Sequence, residues 1–181
     1  MTASDCNDFY SEQAALTAAF LGGNPDEIQQ KIKILIYRGW EPYFKKVRLY
    51  ANVKNCLSKL KTAGLKLGLL SDFPPETKIR HLGIESYWDA VLCSETCGAL
   101  KPDPVSFLKL AEALDTDPSK IMYVGNSIKY DLIGAKRAGM QSALISFKTG
   151  NSLKKAFKRY NSSEPDFIFK DYRKLINYVL N

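Results

Sequence analysis

Ser71, Lys101, Asn126 and Asp131 each stand just beyond a short apolar run, and together they bring a hydroxyl, an ammonium, an amide oxygen and a carboxylate. A site for a phosphate and a metal ion is built from such groups: donors and a cation face the anion, and hard oxygens face magnesium. Ser71 follows Leu-Gly-Leu-Leu, where its hydroxyl can bond an anionic oxygen or simply cap the next turn. Lys101 opens Lys-Pro-Asp-Pro, in which Pro102 fixes the backbone, Asp103 can cap and Pro104 begins a helix, so the lysine is presented on a constrained turn. Tyr123-Val124-Gly125-Asn126-Ser127 leads from an apolar run into a glycine turn. Asn126 and Asp131 can then project oxygens into one crevice as ligands of Mg2+, or serve as a turn residue and a helix-start charge.

These positions need strands that end beside one another. The first section predicts two helices: one over Asn7 to Phe20, stopped by Gly22-Gly23, and one capped by Asn24, with Pro25 first and Ile28, Ile32, Leu35 and Ile36 on one face up to Gly39. Trp40, Tyr43 and Phe44 follow as an aromatic hinge. Arg38, Trp40 and Tyr43 can face a ligand or pack internally. Beyond about Tyr50 helices alternate with short apolar strands, expected over Leu65–Leu70, Ala90–Cys93, Ile121–Val124, Ser142–Ile145 and Phe167–Phe169. Helices are expected to begin near Pro75, Pro104 and Ile128, with Gly83 and Gly139 as stops, and a last helix carries Leu175, Ile176 and Val179. Lys148 to Ser163 reads as polar and basic enough to contain a loop. The expected fold class is α/β, a doubly wound, Rossmann-like parallel sheet over 49–181 with a small, partial helical cap over 1–48. In such sheets ligands bind beyond the carboxyl ends of the strands.

With 181 residues, 45% of them apolar, the chain has enough material for one domain and a small addition. Its longest apolar runs are too short to cross a bilayer, and the first residues lack the pattern of a secretory leader, so the expected location is cytoplasmic, with no membrane partner. The 26 basic residues exceed the 19 acidic ones by enough to give a net charge of +7. The densest cluster, Lys154, Lys155, Lys158 and Arg159, carries no aromatic-interleaved recognition motif and reads as a solvated face, so no nucleic-acid partner is expected. Cys6, Cys56, Cys93 and Cys97 lack both a Cys-x-x-Cys spacing and a nearby histidine, which argues against zinc.

Taken together, Leu69-Leu70-Ser71-Asp72, Lys101-Pro102-Asp103-Pro104 and Val124-Gly125-Asn126-Ser127 with Asp131 resemble the second, third and fourth motifs of the haloacid dehalogenase-like (HAD) hydrolases, in the same order and at fitting intervals. The resemblance spans most of the chain, from Leu49–Val53 through Gly134–Met140 to Pro165-Asp166. It implies a magnesium-dependent phosphatase of a small phosphorylated metabolite, working through an aspartyl-phosphate. Ser71 and the backbone near Asp72 would hold the phosphoryl group, Lys101 would neutralise charge, and Asp131 with Asn126 would hold Mg2+. The family usually has aspartate where this chain has Asn126, so weaker or more selective metal binding is expected.

The same resemblance implies an amino-terminal Asp-x-Asp motif after an apolar strand, its first aspartate the nucleophile. The sequence shows none: Asp5-Cys6-Asn7-Asp8 has only Met1 to Ser4 before it. In the family's sheet that strand lies between those ending at Ser71 and Val124. Its absence would leave two rows of backbone groups unpaired. The expectation is therefore a core lacking its first strand, with the nucleophile outside the visible chain and the chain alone catalytically incomplete. A complementing amino-terminal segment or a homo-oligomer would supply the strand. A non-catalytic ligand-binding or regulatory protein, and less favourably a 2-haloacid dehalogenase, are the other readings.

Overall fold

The computed structural model describes residues 6–44, 46–162 and 164–181, with side chains from Tyr10 onward. Helices α1 (Cys6–Leu21) and α2 (Pro25–Ile32) form a hairpin whose bend is made by Gly22 and Gly23, both at positive φ (77° and 112°), a conformation open to glycine without steric cost. Asn24 caps α2 as expected, its side chain accepting the Asp26 N–H at 2.8 Å. The second helix then widens into a π-helical stretch, Lys33–Arg38, before the short α3 (Glu41–Phe44). This widening overturns part of the expected apolar face. Ile28 and Ile32 are half-buried, but Leu35 is 71% exposed and Ile36 is exposed too, because the i→i+5 turn shifts the helical phase between the two pairs.

Among the described residues the α/β core has five short parallel strands. Helix α4 (Val53–Thr62) leads into β1 (Gly68–Ser71), and α5 (Glu76–Leu82), closed by Gly83 at φ 60°, leads into β2 (Ala90–Cys93). Helix α6 (Pro104–Ala113) precedes β3 (Met122–Gly125). A π turn over Ile128–Leu132 then runs into α7 (Ile133–Arg137), β4 (Gln141–Ile145), α8 (Gly150–Arg159), β5 (Phe167–Phe169) and α9 (Tyr172–Leu180). The first strand starts later than its apolar run: Leu65 is exposed and the Lys66 ammonium bonds the Leu114 carbonyl at 2.7 Å. Ser71 is thus the last strand residue rather than the first beyond it. The basic stretch after Lys148 contains loop as expected, at residues 148–149 and 160–162, with α8 filling the middle. Phe157 is buried on α8 against Ile128, Leu132 and Leu144, with Leu153 packed beside it, while Lys154, Lys155, Lys158 and Arg159 face solvent.

Strands β1 and β2 form one sheet and β3, β4 and β5, in that order, another. Among the described residues no ladder joins β1 to β3. The two sheets are nevertheless held side by side by shared helices. On one face Phe107 and Leu110 of α6 and Ala135 of α7 pack with Leu70 of β1, Leu92 of β2 and Tyr123 of β3. On the other, Cys56 and Leu60 of α4 and Ile176 of α9 cover Ala143 and Phe169, with Leu67 and Met122 against them. Gly134 permits the α6–α7 contact, since a Cβ there would lie 2.3 Å from the Phe107 ring. Packing thus spans a place where backbone pairing does not. Val124, in the middle of β3, is 38% exposed, whereas Ser142 to Ile145 of neighbouring β4 are all buried.

Candidate active site

The carboxyl ends of β1 and β3 carry the residues singled out by the sequence. Ser71 closes β1, and its Oγ accepts the Phe73 N–H at 3.3 Å. Asp72 follows, its Oδ1 accepting the Ser94 hydroxyl at 2.5 Å. The Lys101–Pro102 peptide is cis, and Asp103 caps α6 by accepting the Val105 N–H at 2.9 Å, so the Lys-Pro-Asp-Pro turn is tied to the helix it starts. From this turn Lys101 points its Nζ to Asp131 Oδ1 at 2.9 Å and lies 3.8 Å from Asp72 Oδ2. Both members of the closer pair are buried, their side chains 11% and 8% exposed. Burial disfavours the ammonium, but the neighbouring Tyr123, Asp131 and Asp72 more than offset it and hold Lys101 above its usual pKa.

Asp131 is fixed from its other side as well. Its Oδ2 accepts the N–H groups of Asn126 and Ser127 at 3.1 and 3.0 Å, while the Ser127 hydroxyl accepts the Tyr130 N–H at 3.2 Å and caps the π turn. Gly125 makes this possible: a Cβ there would stand 2.3 Å from Asp131 Cβ and 2.7 Å from its Oδ2. Lys101, Asp131, Asp72 and the backbone of Asn126 therefore form one cluster, with Ser71 joined to it through Asp72 and through its carbonyl, which accepts the Ser94 hydroxyl at 3.3 Å. Asp131 and the exposed Asn126 are oxygen donors of the kind magnesium takes. They fit in kind and fall short in number. Among the described residues no group of three or more His, Cys, Asp or Glu side chains gathers around a point that would hold a metal. Asp5 lies outside the described residues. Cys6 to Asp8 begin α1.

Three participants escaped sequence reasoning. Ser94 orients Asp72, Tyr123 lies against Lys101, and Glu95, only 4% exposed, receives the Tyr37 hydroxyl at 2.8 Å. Burial pushes the Tyr123 phenol up to about 12. The signal for Ser94-Glu95 was available: the pair follows β2 directly, the same strand-end position that marked Ser71. Tyr37 carries no such mark, because its partner is 58 residues away. Burial is the main cause that raises the Glu95 pKa, and nearby Asp72 adds to it, partly opposed by the hydroxyls of Tyr37 and Tyr10. A folded-state pKa above the unfolded one gives stability that is complete below about 4.3 and is lost as pH rises through the folded value. Glu95→Gln should therefore gain stability relative to the parent chain between pH 4 and pH 7. Urea midpoints at several pH values would show it, and curves that stay parallel would refute it.

Above the turn after β1, a cavity of about 680 Å³ opens between the helical section and the core. Arg38, Trp40 and Tyr43 all line it, together with Phe73. Among the described residues no helix is long and apolar enough to cross a membrane.

A parallel α/β core with a lysine-carboxylate cluster at its strand ends defines the class. Residues 1–145 match the profile of the haloacid dehalogenase-like hydrolases, and the chain belongs to that family. It is 28% identical over 162 residues to a glyceraldehyde 3-phosphate phosphatase of Methanopyrus kandleri, covering 88% of this chain and 67% of that one. It is 32% identical over 136 residues to a phosphoglycolate phosphatase of Vibrio vulnificus, covering 73% and 57%. The chain thus spans roughly six-tenths of the length of such curated relatives. Among solved structures, an HAD phosphatase from Thermococcus onnurineus superposes with a TM-score of 0.68 at 22% identity, over 98% of this chain and 92% of that one. The L-2-haloacid dehalogenase of Xanthobacter autotrophicus gives 0.65 at 20% identity, over 97% and 84%. Both share the fold.

Proposed function

We propose that this chain forms the phosphate- and metal-holding part of a phosphatase acting on a small phosphorylated metabolite, with the nucleophilic carboxylate carried by a strand seated between β1 and β3. The reading rests on one observation above all: the Lys101 ammonium lies between Asp131 and Asp72 at strand ends that flank sheet edges unpaired among the described residues. Curated relatives named as phosphatases support the reaction class. An Asp-x-Asp strand in that place would pair the free edges of β1 and β3 and set its carboxylate beside Lys101.

The roles then follow from position. Ser71 Oγ and the backbone at Asp72 bind the phosphoryl oxygens, and Lys101 offsets the charge that accumulates as one anion attacks another. Asp131 and Asn126 would hold Mg2+, which would supply positive charge to the phosphoryl group; Asn126 brings no charge of its own and would lower the affinity. The attacking carboxylate forms a P–O bond as the ester P–O bond breaks, and the leaving alkoxide takes a proton from the second carboxyl of the Asp-x-Asp strand, which regains one from the water that follows. Water then releases phosphate and restores the carboxylate.

The test compares this chain with the same chain bearing an amino-terminal apolar strand ending in Asp-x-Asp-Gly-Thr, using p-nitrophenyl phosphate with and without magnesium. Magnesium-dependent phosphate release by the extended form alone is expected. Equal turnover by both forms would refute the missing-nucleophile reading. Ligand binding without turnover in either would favour a regulatory protein, an option Asn126 makes credible. Chloride release from 2-chloropropionate without magnesium would favour a dehalogenase.

A further inference from the structure

The cavity above the β1 turn is larger and more aromatic than a two-carbon phosphate ester requires. At about 680 Å³ it has the volume of a site for a ligand of many atoms. Trp40 and Phe73 stack within it, ring centroids 5.9 Å apart and planes 19° from parallel, and Tyr37 tilts against Phe73 at 6.2 Å. Packing does not consume these rings: Trp40 is 57% exposed and Phe73 49%. The π-helical stretch brings Lys33, Tyr37 and Arg38 to the same wall, a local departure from the α-helix of the kind found at functional sites. Lys33, Arg38 and Lys78 line the cavity against the single carboxylate of Glu41, so the wall favours a ring rich in acceptors and an anionic ligand. Phe73 is also the second residue beyond Ser71, and its N–H bonds the Ser71 hydroxyl, so the aromatic wall begins where the proposed phosphate site ends.

We infer that this cavity binds a flat aromatic ring, and that the substrate is a phosphate monoester whose leaving group carries such a ring, with the size and polarity of a nucleoside monophosphate. The ester rests on the phosphatase reading. The ring rests on the cavity alone, with the ligand extending the Trp40–Phe73 stack across its open face and the three cations contacting its acceptors. A base stacked on an aromatic side chain loses about ten- to hundredfold in affinity when that side chain becomes alanine.

Calorimetric titration of the chain with adenosine, which lacks the phosphate, tests the ring independently of catalysis. Saturable binding is expected, kept within about threefold in Trp40→Phe and weakened at least about tenfold in Trp40→Ala and in Phe73→Ala. Both alanine positions are half-exposed, so the fold should tolerate them. No saturation by adenosine, or affinity unchanged in both alanine variants, would overturn the inference. The strand-extended form is then assayed for phosphate release from adenosine monophosphate and from 2-phosphoglycolate. Preference for the nucleotide supports the inference. Hydrolysis of phosphoglycolate with no adenosine binding removes the ring site and leaves the phosphatase reading. Adenosine binding with no hydrolysis of either ester removes the phosphatase reading and leaves the ring site.

Discussion

Lys101→Met should destabilise the chain by about 3–5 kcal/mol and, on the proposed phosphatase function, abolish binding of inorganic phosphate. The reason lies in what remains behind. Asp131 is nearly sealed from solvent, and with the ammonium gone its Oδ1 loses a 2.9 Å partner while its Oδ2 keeps only the two amide N–H groups of Asn126 and Ser127. A buried carboxylate half-satisfied in this way costs more than the pair ever contributed, since the desolvation penalty persists without the attraction that offset it. The double variant Lys101→Met/Asp131→Leu separates the two effects. Removing both charges should restore most of the lost stability, because an apolar pair of similar volume often matches a buried ion pair, yet phosphate binding should stay absent. Lys101→Arg is not a conservative control: a planar, forked guanidinium spreads its charge over a larger group than the ammonium that reaches Asp131 at 2.9 Å and Asp72 at 3.8 Å. Urea midpoints and phosphate titrations of the three variants check the argument. Parental stability in Lys101→Met would mean that Asp131 finds water in place of the ammonium and that the pair is not the keystone of the site.

How legible this arrangement was depended on the range of the interactions that create it. The Lys-Pro-Asp-Pro turn, the Asn24 cap and the glycine turn after β3 are set by neighbours within a few residues, and each stands where the sequence placed it. The strand ends at Ser71 and Gly125 were readable to within a residue for the same reason, each of these strands closing one residue past its apolar run, whereas the approach of Lys101 to Asp131 across 30 positions was expected from the parallel-sheet topology and the family resemblance. What failed had non-local or subtler causes. The π widening over Lys33–Arg38 leaves the 3.6-residue period of Ile28, Ile32, Leu35 and Ile36 intact on paper while turning the later two outward. Helix α8 hides its apolar face, Leu153 and Phe157, among lysines, so composition showed the loops at either end and missed the helix that the i, i+4 spacing carries. The Tyr37–Glu95 bond joins the helical section to the end of β2, and no local pattern announces a contact across 58 positions. Composition likewise could not tell whether Trp40 packs inward or faces a cavity; only its placement opposite Phe73 decides that.

Gly125→Ala should reduce phosphate affinity and the turnover of the strand-extended form by at least about a hundredfold, while costing stability about 1–3 kcal/mol. A single methyl suffices because the backbone of β3 passes so near Asp131: the new Cβ would lie 2.3 Å from the aspartate Cβ and 2.7 Å from Cγ and Oδ2. Neither side can yield cheaply. Asp131 sits within the π turn, where its N–H bonds the Ser127 carbonyl at 3.0 Å, and β3 is laddered to β4 through four paired residues. The carboxylate is the only part free to swing, and swinging it breaks the two amide bonds and the Lys101 contact together. Function should therefore fall together with stability, whereas Gly134→Ala, whose added methyl meets the Phe107 ring in the core and no member of the charged cluster directly, should cost mainly stability. Thermal midpoints and phosphate titrations of the two glycine variants give the comparison. If Gly125→Ala binds phosphate like the parent chain, Asp131 is not held in place by the turn before it, and the link drawn here between the bend after β3 and the charge beside Lys101 is wrong.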